Sequence, residues 1–240
     1  MLSTGEAREH APTPPDQEYA GTRFNIVGVL FEGYPKEFHA CSGVATGPVK
    51  DPAALELDVR VPTNAVSFSF DLILFTHEFP RYICSKYNDF YVTMMWPKPP
   101  TLADPNISFD SVGNTISVNS ALLQVCTPQT AKGKDFLCPL GPSLLQGTGF
   151  EGNAATGWLV TKAPVTPGSM VKLRFAIWDS ADCVLDSTVL LDGFTWDLHP
   201  VADIPAGVVQ KKHIPPPPPP PAVTIETTPA PTQKSIRYGR

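Results

Sequence analysis

Oxygen-bearing side chains gather in two stretches of this 240-residue chain: residues 67–95 carry Glu78, Asn88 and Asp89, and residues 156–196 carry Asp179, Asp182, Asp186 and Asp192. Calcium takes roughly six to eight oxygens in tolerant geometry, and loops at strand ends can collect them from separate segments. If the two stretches fold side by side, some of Glu78, Asn88, Asp89, Asp179 and Asp186 form one structural Ca2+ site. The competing reading is that these residues accept backbone hydrogen bonds in turns, as Asp and Asn commonly do. The Asp-x-Asp-x-Asp-Gly spacing of a dedicated calcium loop is missing, which favours the turn reading.

Paired carboxylates also serve glycoside hydrolysis, one as acid and one as nucleophile or base. Glu78 with Asp179 or Asp186 is the pair to consider. His10, His39, His77, His199 and His213 are scattered, with neither an HExxH metal motif nor a GxSxG elbow. His77 beside Glu78 imitates a dyad, but adjacent strand residues point to opposite faces. Tyr82, Tyr87, Tyr91, Trp96 and Trp158 are candidates for stacking on sugar rings. For Trp158 and Trp196, inside strand-like runs, core packing is the expectation.

Cysteine usage adds a covalent element. Cys126 and Cys138 bracket a loop containing Lys, Gly and Pro, the pattern of a disulfide across a weakly packed excursion, the alternative being two buried, unbonded thiols. Five cysteines leave at least one thiol unpaired or paired outside the chain. No CxxC or Cys/His cluster suggests zinc.

The elements that must position these groups read as strands. Residues 7–21 are polar and without period, an irregular lead-in, and residues 23–31 (RFNIVGVLF) are a first strand. Leu55, Leu57, Val59 and Val61 alternate with Glu56, Asp58 and Arg60, which predicts a half-buried strand ending at Pro62-Thr63-Asn64. Alternation resumes with Val66, Phe68, Phe70, Leu72 and Leu74 against Ser67, Ser69 and Asp71. Residues 87–96 are aromatic-rich, and Gly113-Asn114 predicts a hairpin turn within residues 107–118. After the Pro167-Gly168 turn, Val171, Leu173, Phe175 and Ile177 alternate with Lys172 and Arg174, and residues 188–196 supply the last strand. About eight short strands without a 3.6-residue stripe predict an all-β antiparallel β-sandwich, jelly-roll-like.

Beyond Trp196 the period is lost. Residues 215–221 are seven consecutive prolines, which favour an extended polyproline II spacer over a ligand for a proline-binding module. The expected organisation is a lead-in at 1–21, a sandwich at 22–198 and a disordered proline-rich tail at 199–240. The net charge of −5 lacks the basic footprint of nucleic-acid binding. No apolar run reaches the length of a membrane-spanning helix.

Two segments carry a family resemblance. Residues 67–95 (SFSFDLILFTHEFPRYICSKYNDFYVTMM) combine an aromatic strand, Glu-Phe-Pro and an aromatic before Asn-Asp-Phe. Residues 156–196 combine Ala-Pro-Val-x-Pro-Gly, a strand ending in Asp, and Asp-Ser before a hydrophobic strand with Asp-x-Phe. Together they resemble the choice-of-anchor L domain family of bacterial surface proteins, over residues 24–197. The resemblance implies a β-sandwich, a secreted or cell-surface location and no activity that carries over. Leu2-Ser3-Thr4-Gly5 resembles the interior of that domain's N-terminal region, which implies an N-terminally truncated or mis-started copy and accounts for a start without a signal peptide. Cys84 with Cys183 is one pairing the two segments allow, and Cys41, Cys84 and Cys183 stay unassigned.

The resulting expectation is a non-enzymatic surface module for adhesion or envelope assembly, with envelope components or glycans as partners. The alternatives are a calcium-dependent carbohydrate-binding module and a glycan-active hydrolase.

Overall fold

The computed structural model describes residues 1–5, 34, 41, 43–111, 113–120 and 122–198, and the backbone of 207–210. The expected strand at 23–31, most of the lead-in, every histidine except His77, and the proline run lie outside the described residues.

The described residues form β1 (Leu2–Ser3), β2 (Val49–Arg60), β3 (Ser67–Thr76), β4 (Phe90–Trp96), β5 (Ile116–Ser117), β6 (Gln129–Ala131), β7 (Lys134–Phe136), β8 (Ala154–Ala155), β9 (Leu159–Pro164), β10 (Met170–Ser180), β11 (Ser187–Asp197) and β12 (Gly207–Gln210). One sheet runs β1-β11-β3-β9-β12, with β8 also on β3. The second runs β2-β10-β4-β5, and β6-β7 is a separate hairpin. The strand pairings within these sheets are antiparallel. The all-β sandwich read from the sequence is the observed fold.

Alternation sets the inner faces. Phe68, Phe70, Leu72 and Leu74 of β3 meet Val171, Leu173, Phe175 and Ile177 of β10 in one core, closed by Leu159, Val189, Tyr91 and Met95. Phe70 and Phe175 touch edge to face across the sheets, 5.2 Å between centroids. Burying such side chains stabilises the fold by about 1.5–3 kcal/mol each.

Period two fails within β3 for a physical reason. Ile73 and Phe75 point out of the sandwich, yet residues 140–158 cover them with Leu140, Leu145, Phe150 and Trp158. The other sheet is also buried on its outer side, where Phe90, Val92, Met94, Ala176 and Trp178 pack with Tyr34. A strand covered on both faces has no polar side to show, hence the apolar run Leu72–Phe75.

Several expectations need correction. Leu2–Ser3, inside the expected lead-in, pair with β11, and Gly207–Gln210, inside the expected tail, pair with β9. Leu55 and Leu57 face inward opposite Phe175 and Leu173, yet are 43% and 40% exposed because β2 is the edge strand. The 107–118 hairpin makes its turn, with Asp110 N–H donating to the Asn114 carbonyl at 2.9 Å. Its arms then lean on β4, and only Ile116–Ser117 becomes a strand.

Candidate functional site

One end of the sandwich gathers the groups singled out above. Glu78 follows β3, Asn88 and Asp89 precede β4, Asp179 lies at the end of β10, and Asp182 and Asp186 sit in the turn to β11. Close backbone approaches hold these loops together. Ala181 N–H donates to the Pro48 carbonyl at 2.9 Å, and Gly47 N–H to that of Lys86 at 3.0 Å. A Cβ on Gly47 would overlap the Ala181 backbone, so that position requires glycine, and one on Gly5 would displace the Asp186 carboxylate. Thr4, beside Gly5, is tied to Ser187 in both directions: its N–H donates to the Ser187 carbonyl at 3.1 Å, and its hydroxyl accepts the Ser187 N–H at 3.0 Å.

A bulge adds a further carboxylate. Ile177 pairs with Ala53 but Asp179 pairs with Lys50, so Asp51 and Pro52 together oppose Trp178. Asp51 takes a left-handed φ of 41° and is buried, where its charge acts on Asp179.

Asp89 sits at the centre. Its Oδ2 accepts the Ser187 hydroxyl at 2.6 Å, and its Oδ1 the Ser180 N–H at 3.2 Å. Glu78 and Asp179, each 2% exposed, contrast with it. Glu78 Oε2 and both oxygens of Asp179 accept no hydrogen bond. The Thr4 hydroxyl acts on Asp179 but is turned toward the Ser187 carbonyl, 3.4 Å away.

Burial is the largest cause lifting all three acids above the carboxylate range. Asp89 and Asp182 push Glu78 further, and Asp89, Asp186 and Asp51 do the same to Asp179. Asp89 rises to about 7, held back by its bonds from Ser187 and Ser180 and raised by Asp182 and Asp186. Among the described residues every formal charge acting on the three is a carboxylate.

The structure therefore brings together Glu78, Asp89, Asp179 and Asp186 of the expected set, adds Asp182 and Asp51, and reassigns Asn88. The Asn88 Oδ1 accepts the Asn119 N–H at 3.0 Å and its backbone carbonyl accepts the Ser180 hydroxyl at 2.7 Å, so it braces the loop. Asp192 is exposed beside a bulge at Gly193, facing Asp71 in the register of β11 and β3. His77 stacks on Phe150 at 4.3 Å, away from any dyad with Glu78. Among the described residues no three His, Cys, Asp or Glu groups converge closely enough to enclose a cation as they stand. Asp51 was missed because only the bulge turns it inward; Pro52 after it was the available hint.

Two disulfides flank this end. Cys126–Cys138 closes as its spacing implied. Cys84 pairs with Cys41 instead of Cys183. Cys183 is a buried thiol, pushed up to about 11 first by burial and then by its hydrogen bond and charge interaction with Asp51.

Of the stacking candidates, Tyr91 is fully buried and Trp158 packs against the outer cluster over β3. Trp196, half-buried, packs against the main core as expected. Tyr82 and Tyr87 form an edge-to-face pair at 5.3 Å, with the Lys86 ammonium 5.0 Å from the Tyr87 ring.

No helix among the described residues is long and apolar enough to cross a membrane. No curated protein and no solved structure matches the chain significantly. A family model described as the Choice-of-anchor L domain matches residues 1–197. That match spans both motif segments, β1 to β11 and the acidic end, and the chain belongs to the Choice-of-anchor L domain family.

Proposed function

We propose that this surface-associated bacterial module works without catalysis, in adhesion or envelope assembly, with the proline run at 215–221 as its spacer. The observation that carries the reading is the pair of disulfides, Cys41–Cys84 and Cys126–Cys138, each closing a loop beside the same small apolar cluster. Such bonds persist in oxidising compartments and are kept reduced in the cytosol. Labelling intact cells with a membrane-impermeant amine reagent, followed by a non-reducing gel, tests it. The expected result is a labelled, disulfide-bonded chain; labelling only after lysis would sink the proposal.

A second reading, glycan binding, rests on Tyr82 and Tyr87, half-buried aromatics on a loop anchored by Cys84. Reproducible binding on a glycan array, lost in Tyr87→Ala, would favour it. A hydrolase has less support, because Glu78 and Asp179 are buried where a polymer does not reach them.

A further inference from the structure

We propose that the acidic end of the sandwich binds one calcium ion, with the carboxylates of Glu78, Asp89 and Asp179 as its charged ligands. Native interiors rarely leave polar atoms unmatched, and each exception calls for a cause. Among the described residues the unmatched buried carboxylate oxygens are both oxygens of Asp179 and Oε2 of Glu78, on residues 2% exposed; the other unmatched atoms, Asn88 Nδ2 at this end among them, are hydroxyl, amide or indole groups that can donate. An ionised carboxylate only accepts, so the partner that satisfies several at once is a cation. Among the described residues no Lys or Arg charge acts on the three, and the surrounding charges are Asp51, Asp182 and Asp186.

The frame for such an ion is already built. Asp179 belongs to β10, Asp89 adjoins β4 and Glu78 follows β3, so one ion ties both sheets together. Asp89 is held by Ser187 and Ser180 before any ion arrives. As they stand, no three of these groups enclose a cation, so binding draws the two unmatched acids toward Asp89. The donor set is oxygen alone, which selects a hard cation over zinc or copper. Ligands from three segments in a dry setting suit calcium better than magnesium, which keeps several waters and demands octahedral geometry.

The test uses the full chain, stripped with EDTA and dialysed at pH 7.5. Thermal unfolding is followed in CaCl2, MgCl2 or EDTA, with calorimetric titration of CaCl2. One Ca2+ per chain is expected, with a midpoint rise of about 5 °C or more at millimolar calcium and a clearly smaller rise in magnesium. Asp179→Asn and Glu78→Gln should each weaken calcium binding by roughly 10-fold or more. In EDTA both variants should melt no lower than the parent, since each replaces an unmatched buried acid with a neutral amide of the same shape, so a lost calcium response is not misfolding. An unchanged midpoint in calcium, an equal response to magnesium, or full calcium binding by both variants would overturn the proposal.

Discussion

Two buried polar clusters lie in the same sandwich and solve the same problem differently. In the middle, the Tyr91 hydroxyl meets the Thr93 hydroxyl at 2.7 Å, and Ser108 joins Thr93 at 2.8 Å to Thr161 at 3.0 Å, linking β4 in one sheet with β9 in the other. Each group is neutral, and each can donate as well as accept, so the cluster closes on itself. At the end of the sandwich Glu78, Asp89 and Asp179 are equally buried, but as carboxylates they only accept when ionised. The lesson is that burial alone does not mark a candidate site. What separates a structural cluster from a binding one is whether its hydrogen-bonding capacity is met from within.

The largest effect that separates the two clusters is that of pH on the ion-free protein. Asp89, buried and faced by Asp182 and Asp186, holds its proton to about pH 7 when folded, against an ordinary value near 4. A raised folded value means the folded state keeps the proton longer. Its stabilisation is therefore complete below about pH 4 and lost as pH rises toward 7. In EDTA, urea midpoints should show that Asp89 alone accounts for about 2 kcal/mol less stability at pH 7 than at pH 5. Glu78 and Asp179, raised further, deepen this fall and carry it above neutrality.

Next in size is Ser108→Ala, which leaves the Thr93 and Thr161 hydroxyls short of a partner at the centre. A loss of about 2 kcal/mol is expected, the same at pH 5 and pH 7. A pH-dependent loss would mean the two clusters are coupled. The smallest change is that of Asp179→Asn in EDTA. It should gain about 1 kcal/mol at pH 7 and flatten the pH slope above neutrality, as one buried acid no longer titrates. An unaltered slope would remove Asp179 from the coupled group.

Much of this was legible in the residues themselves. Phe68 to Leu74 and Val171 to Ile177 alternate because one face of each meets the core, and those strands were read correctly. The exposure of Leu55 and Leu57 was not legible, since a period of two reports which way a side chain points but not whether another strand flanks it. All five expected site residues share one end because they lie at strand ends that antiparallel pairing brings together. Asn88 looked like a ligand and proved a loop brace, because an amide both donates and accepts and spacing does not show which role it takes. Cys41 with Cys84 was unreadable, as a bridge over 43 positions depends on the fold and not on local spacing.

Of five cysteines, four are bridged and Cys183 alone keeps its thiol, inside the turn that carries Asp182 and Asp186. Alkylation requires an accessible thiolate, which burial and Asp51 oppose in the closed state. Iodoacetamide therefore modifies Cys183 chiefly when that turn swings open, and the modification rate counts those openings. The protein carries its own stopwatch at the acidic end, with no introduced label needed to read how often the turn breathes.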